Sequence, residues 1–189
     1  GTIIFSHGVW ANHLEMESRA QEMWQRGFSV FLFDYRACGD SAGRTTTLGA
    51  KEIYDLLGAV DYLLAHNRSI TIGVWGNSMG GAVAIMAAEC CPQINAIVSD
   101  SAFAALADNV THGFHSATGL PARPFRGLVI RLAQMMSGTK ISSIRPVDIV
   151  SAFSPRPLFI IQGDKDELVL PDQAQALYTA AKEPKKIWL

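Results

Sequence analysis

Cysteine is scarce, with three in 189 residues. Cys90 and Cys91 are adjacent and Cys38 lies far upstream, so no disulfide framework is suggested. There is no CxxC pair and no Cys/His ligand spacing, which argues against a zinc site. That scarcity favours a reducing compartment, and a cytoplasmic location is the expectation. Cys38 reads as a plain loop thiol. An excess of one charge is also lacking, since Lys+Arg 16 stand against Asp+Glu 17 for a formal net charge of -1. A nucleic-acid partner, which usually needs a basic face, is not expected. No apolar run reaches the roughly 18 residues of a membrane span. Gly1-Thr2-Ile3-Ile4-Phe5 lacks the basic stretch that opens a signal peptide. Internal repeats and low-complexity tracts are missing as well.

What is present is a hydrophobic fraction of 49%, enough for one domain with a sizeable core. Short apolar runs alternate with amphipathic stretches. Thr2–Ser6, Val30–Phe33, Ile70–Trp75, Ile94–Ser99 and Leu158–Ile161 read as strands, and Lys186–Leu189 as the start of another. Met16, Ala20, Met23 and Trp24 recur at helical spacing before Gly27. Ile53, Leu56, Leu57, Val60, Leu63 and Leu64 mark a second helix, ending in a polar turn at His66–Ser69. An Ala-rich helix runs from about Met79 to Glu89, and Asp172–Ala181 forms another behind Pro171. Strands alternating with helices imply an α/β fold with a mainly parallel sheet and helices on both faces. Such sheets bind ligands beyond the carboxyl ends of their strands. One segment, about 103–153, contains no clear strand. It holds Leu128, Val129, Leu132, Met135 and Met136, and reads as a helical cap inserted over the site.

Gly76-Asn77-Ser78-Met79-Gly80 matches G-x-S-x-G between a strand and a helix, the setting in which that motif presents a nucleophile. The turn holds the serine hydroxyl out from the sheet edge. The chain passes so close that positions two before and two after must be small, which Gly76 and Gly80 satisfy. The helix start aims free N–H groups at the serine, favouring a developing negative charge. Ser78 is therefore the candidate nucleophile. Acyl transfer also needs two donors at the oxyanion. The Met79 N–H is one. The other comes from Ser6-His7-Gly8-Val9-Trp10 after the first strand, with Val9 the first choice and Trp10 the second. The His7 side chain is expected only to satisfy loop hydrogen bonds.

A carboxylate that orients a histidine should follow a strand. Asp166, in Gln162-Gly163-Asp164-Lys165-Asp166, is the first candidate. Asp100 at the end of Ile97-Val98-Ser99-Asp100 is the rival, and Asp164 is a third choice that could instead shape the turn. Asp34 precedes the serine and reads as a brace for Tyr35–Ser41.

Together these residues resemble the α/β-hydrolase superfamily over essentially the whole chain. Phe33–Ser41 is similar to its D-x-R-G-x-G-x-S loop, with Ala37 in place of a glycine. Gly163–Pro171 is similar to its G-x-x-D-x-x-V-P segment, with Gln162 where a histidine is frequent. Bacterial serine esterases and peptidase-like hydrolases with a modest cap are the nearest likeness. The resemblance implies hydrolysis through an acyl-serine, a small-molecule ester as substrate, and no metal or organic cofactor. It also implies two strands ahead of Gly1 and a histidine after the last strand. His7, His13, His66, His112 and His115 all precede Asp166, and none occupies that place. The 189 residues are thus expected to be a fragment clipped at both ends, with the histidine about 20–30 residues after Leu189.

Overall fold

The computed structural model describes residues 1–66 and 71–189. Most of the expected turn at His66–Ser69, and the strand start at Ile70, lie outside the described residues. Six strands make one sheet: β1 (Thr2–Ser6), β2 (Ser29–Leu32), β3 (Ile72–Asn77), β4 (Ile94–Asp100), β5 (Leu158–Ile161) and β6 (Lys185–Trp188). Their order is β2-β1-β3-β4-β5-β6 and every pairing is parallel. The helices are α1 (Glu17–Gln25), α2 (Glu52–His66), α3 (Met79–Cys90), α4 (Leu106–Thr118), α5 (Ala122–Ser137), α6 (Pro146–Ile149) and α7 (Pro171–Ala180).

Strand alternation separates the two faces of this sheet. Ile4, Val74, Ile97 and Leu158 stand in register on one face. They join the main core with Leu56 and Val60 of α2, the alanines of α3 and Leu177 of α7. On the other face Phe5 packs with Met16 and with Ala20 of α1, against Ile3, Val30, Leu32 and Trp75. Helix α3 is buried from Met79 to Ala88. A helix apolar all round belongs in a core, and its small side chains let it lie close against the sheet.

Several strand limits differ from the sequence expectation: the second strand ends at Leu32, not Phe33, the Ile94 strand runs on to Asp100, and the last strand is Lys185–Trp188. The strand into Ser78 ends at Asn77, not Trp75, because Gly76 and Asn77 pair with Ser99 and Asp100. The second strand begins at Ser29, not Val30, because Ser29 pairs with Thr2. The strand-free segment also divides in two. Helices α4 and α5 carry most of its exposed residues, while Leu106 and Ala107 at the start of α4 share the main core with Ile141, Ile144, Val150 and Phe153. In addition, Leu128, Leu132, Met135 and Met136 are exposed, although apolar residues at helical spacing normally face a core.

One buried carboxylate fixes the loop ahead of α2. Glu52 is fully buried, and its oxygens accept from the Thr46 hydroxyl (2.9 Å), the Thr47 N–H (2.7 Å), the Thr47 hydroxyl (2.6 Å) and the Gly49 N–H (2.9 Å). Burial pushes its pKa up, but the Thr47 and Thr46 donors outweigh that and hold the carboxyl below its ordinary value. A group with a lowered folded pKa stabilises the fold at neutral pH, and the gain is lost as pH falls through the lowered value. Glu52→Gln should cost about 2–4 kcal/mol, since an amide N–H₂ would face backbone donors and charge-assisted bonds would be lost. Urea unfolding at neutral pH checks this. Acidification should narrow the gap between wild type and variant.

Candidate active site

Ser78 follows β3 and precedes α3 with φ 51° and ψ -116°. Positive φ on a non-glycine residue is a strained conformation, and such strain persists only where its surroundings enforce it. Here the enforcement is close packing. A Cβ on Gly76 would strike the Gly80 carbonyl, and one on Gly80 would strike the Ser6 carbonyl. The Ser78 N–H donates to the Asp100 carbonyl at 2.7 Å, locking the turn to the end of β4. The Ser78 side chain is half-buried, and its hydroxyl has no hydrogen-bond partner among the described residues. Met79 opens α3, where the first N–H groups have no intrahelical acceptor.

The loop after β1 lies against this turn. A Cβ built on Gly8 would sit 3.5 Å from the Ser78 Cβ. The Gly8 N–H donates to Glu15 Oε2 at 2.6 Å. The Trp10 N–H is directed at the buried Cys38 thiol, whose pKa is pushed up by burial and by the nearby Glu52 and Asp34. The Val9 N–H has no protein acceptor among the described residues. The His7 ring accepts the Tyr35 N–H at Nε2 (3.0 Å) and contacts the Gly8 carbonyl through Nδ1 (2.7 Å). This arrangement places the ring proton on Nδ1, so the side chain ties loops together. Ser6 Oγ bonds the Tyr35 hydroxyl and donates to the Gly80 carbonyl, joining β1 to α3.

Asp34 acts as the expected brace. It accepts the Asp40 N–H at 3.0 Å and the His13 N–H at 2.6 Å. Burial raises its pKa, yet these bonds and His13 hold it below the usual carboxylate range. Ala37 takes the glycine position of that loop and adopts φ 58°, a conformation natural to glycine.

Among the three acid candidates, Asp100 is engaged by Arg19 of α1 at 3.1 Å. Asp164 lies exposed on its turn. Asp166 is half-buried, with Oδ1 accepting the Leu168 and Val169 N–H groups, both at 2.9 Å. Its Oδ2 accepts Gln162 Nε2 at 3.1 Å, which leaves room for a second donor there. Register aligns Asn77, Asp100 and Ile161, so Ser78 and the acid loop leave the same edge of the sheet. Of the histidines, His112 comes near this loop, where its Nε2 lies 2.8 Å from the Glu167 carbonyl. His13 pairs with Asp34, and His66 and His115 contact carbonyls within or beside their own helices. None bonds Ser78 among the described residues.

Glu15, Arg19 and Gln162 hold the Gly8 loop, Asp100 and Asp166 respectively. Glu15 and Arg19 are surface-type residues in an amphipathic stretch, and no local pattern marks them. Beside the site, a cavity of about 470 Å³ is lined by Trp10, Leu48, Val110, Ala133 and Met136, with the exposed Arg44. Its size falls within the range of small-molecule sites.

A single parallel sheet with helices on both faces, and a serine at its strand–helix turn, is the ground plan of the α/β-hydrolases. Residues 1–148 match the model of the family described as "Serine aminopeptidase, S33", and the chain belongs to that family. It is 25% identical over 191 residues to the uncharacterized protein YqkD of Bacillus subtilis, covering 100% of this chain and 62% of that protein. It is 30% identical over 161 residues to protein bem46 of Schizosaccharomyces pombe, covering 84% of this chain and 48% of that protein. The Pyrococcus furiosus esterase Pf2001 superposes with a TM-score of 0.79 at 28% identity, over 99% of this chain and 72% of its own. The chain spans about 60% of the length of the curated bacterial relatives it matches.

Proposed function

We propose that this chain carries the nucleophile and acid of a serine hydrolase that cleaves carboxylic esters through an acyl-serine intermediate. The observation that carries the reading is Ser78, held at φ 51° between strand and helix with its hydroxyl unpartnered among the described residues. The likeness to an esterase, Pf2001, supports the choice of ester. Ser78 Oγ attacks the ester carbonyl. A histidine base takes the hydroxyl proton and passes it to the departing alcohol. Asp166 orients that histidine through the free side of Oδ2 and stabilises its charged form. The N–H groups of Val9 and Met79 hold the oxyanion. Water activated by the same histidine then attacks the acyl-serine, releasing the acid and restoring Ser78.

Labelling of the full-length protein by a fluorophosphonate probe tests this. Labelling that disappears in Ser78→Ala supports the enzyme. No labelling of a folded protein would instead assign a non-catalytic binding domain on this fold. Asp166→Asn should lower kcat by about 10³–10⁴-fold with KM little changed, because the histidine would lose its orienting charge. Steady-state kinetics on a soluble ester reads it. A second reading rests on the family description, which names a serine aminopeptidase. Under it, aminoacyl anilides would be turned over faster than matched esters.

A further inference from the structure

Helix α5 turns an apolar face to solvent. Phe125, Leu128, Leu132, Met135 and Met136 are all exposed, from 38% at Phe125 to 84% at Met136. On an α-helix these positions share an arc of about 100°. The opposite side of the helix, at Ile130 and Ala133, is the side that packs on the core. Large contiguous apolar patches on a surface mark contacts with something apolar.

The charge on this segment is one-sided. Ala122–Ser137 contains Arg123, Arg126 and Arg131 and no Asp or Glu, and Lys140 follows closely. The whole chain is net -1, so the remainder is acidic and this segment is its basic pole. Arg126 pairs with Asp108 at 2.6 Å. Arg123 and Arg131 are exposed, with no carboxylate partner among the described residues. The same helix borders the cavity beside the site through Ala133 and Met136, and Trp10, 80% exposed, stands on the other wall.

We propose that α5 docks this protein on an anionic lipid surface. Its apolar arc enters the boundary between headgroups and acyl chains, while its arginines meet the lipid phosphates. A helix with one apolar face, an Arg-rich polar face and no acid has the composition of an interfacial helix. A second copy of the chain is the poorer occupant, because a two-fold contact would bring two basic segments together. The cavity then opens toward the membrane and receives lipid esters from it. That last step rests on the ester-hydrolase reading, whereas the docking does not.

Sedimentation with phosphatidylcholine vesicles, with and without about a third phosphatidylserine, tests the docking. Binding to the anionic vesicles is expected to be about tenfold tighter than to neutral ones, and to weaken as salt is raised. Two folded variants, Leu128→Ser/Leu132→Ser/Met135→Ser and Arg123→Glu/Arg131→Glu, should each lose about tenfold or more. Absence of vesicle binding, equal binding to neutral vesicles, or binding unmoved by either variant overturns the proposal. So does a concentration-dependent dimer, abolished by the serine variant, in a protein that ignores vesicles. Ser78→Ala should bind vesicles as wild type does, which keeps this test independent of catalysis. For lipid delivery, both α5 variants should slow hydrolysis of a vesicle-borne ester about tenfold while leaving a soluble short-chain ester unchanged. Equal slowing of both esters overturns delivery but not docking.

Discussion

Ser78→Ala is expected to lower ester turnover by about 10⁴–10⁶-fold while leaving KM within a few fold. In the proposed mechanism the Ser78 hydroxyl becomes covalently acylated, and no neighbouring side chain among the described residues offers a replacement. The Ser101 hydroxyl lies at the end of the adjacent strand but is directed at Asp100 Oδ1. Residual rate should come from the oxyanion donors and from substrate positioning. A paired variant separates chemistry from folding. Ser78→Gly should be equally inactive yet more stable than Ser78→Ala by about 1 kcal/mol, because glycine accepts φ 51° without strain. Stopped-flow burst measurements and urea unfolding on both variants check the two statements. A comparable rate in Ser78→Ala would remove Ser78 from the mechanism.

The second large effect concerns folding. Gly80→Ala is expected to prevent formation of the native state, at a cost above about 4 kcal/mol. The added Cβ would fall on the Ser6 carbonyl carbon and oxygen and on the Ser6 hydroxyl. Two of these are backbone atoms of a central strand paired on both sides, so neither can move aside. Gly127→Ala is the control, since nothing lies within 4 Å of its Cβ position. That exchange should raise stability by about 0.5–1 kcal/mol, as expected inside a helix. Far-UV circular dichroism and the soluble yield of each protein decide the outcome.

The sheet was legible in the sequence because each strand is a short apolar run ended by polar or glycine residues. Parallel strands covered on both faces leave that signature. Even the limits moved by only one or two residues, and the cause was pairing with a neighbour. The Ser78 turn was legible for a different reason. A close backbone crossing demands glycine, and glycine at fixed offsets is visible in a sequence. The braces around the site were not legible. Arg19 meets Asp100, Glu15 meets the Gly8 N–H, and Glu52 gathers Thr46, Thr47 and Gly49. A charged side chain can meet any partner the fold brings to it, and spacing says nothing about which. The cap was half legible. The apolar residues Leu128, Val129, Leu132, Met135 and Met136 were visible within 103–153, but their spacing does not give the direction in which they point.

The contact between Ser6 and Gly80 has a consequence in time. Its partners lie 74 residues apart, and every pairing in the sheet is parallel, so no strand finds its neighbour through a hairpin. Nonlocal pairing makes folding slow. As the chain leaves the ribosome, β1 emerges well ahead of β3 and stays without that central neighbour until β3 and the start of α3 have followed. The turn that carries Ser78 can close only when β1 docks. The geometry at Ser78 therefore cannot form before α3 has emerged, and a nascent protein stalled earlier carries none of it.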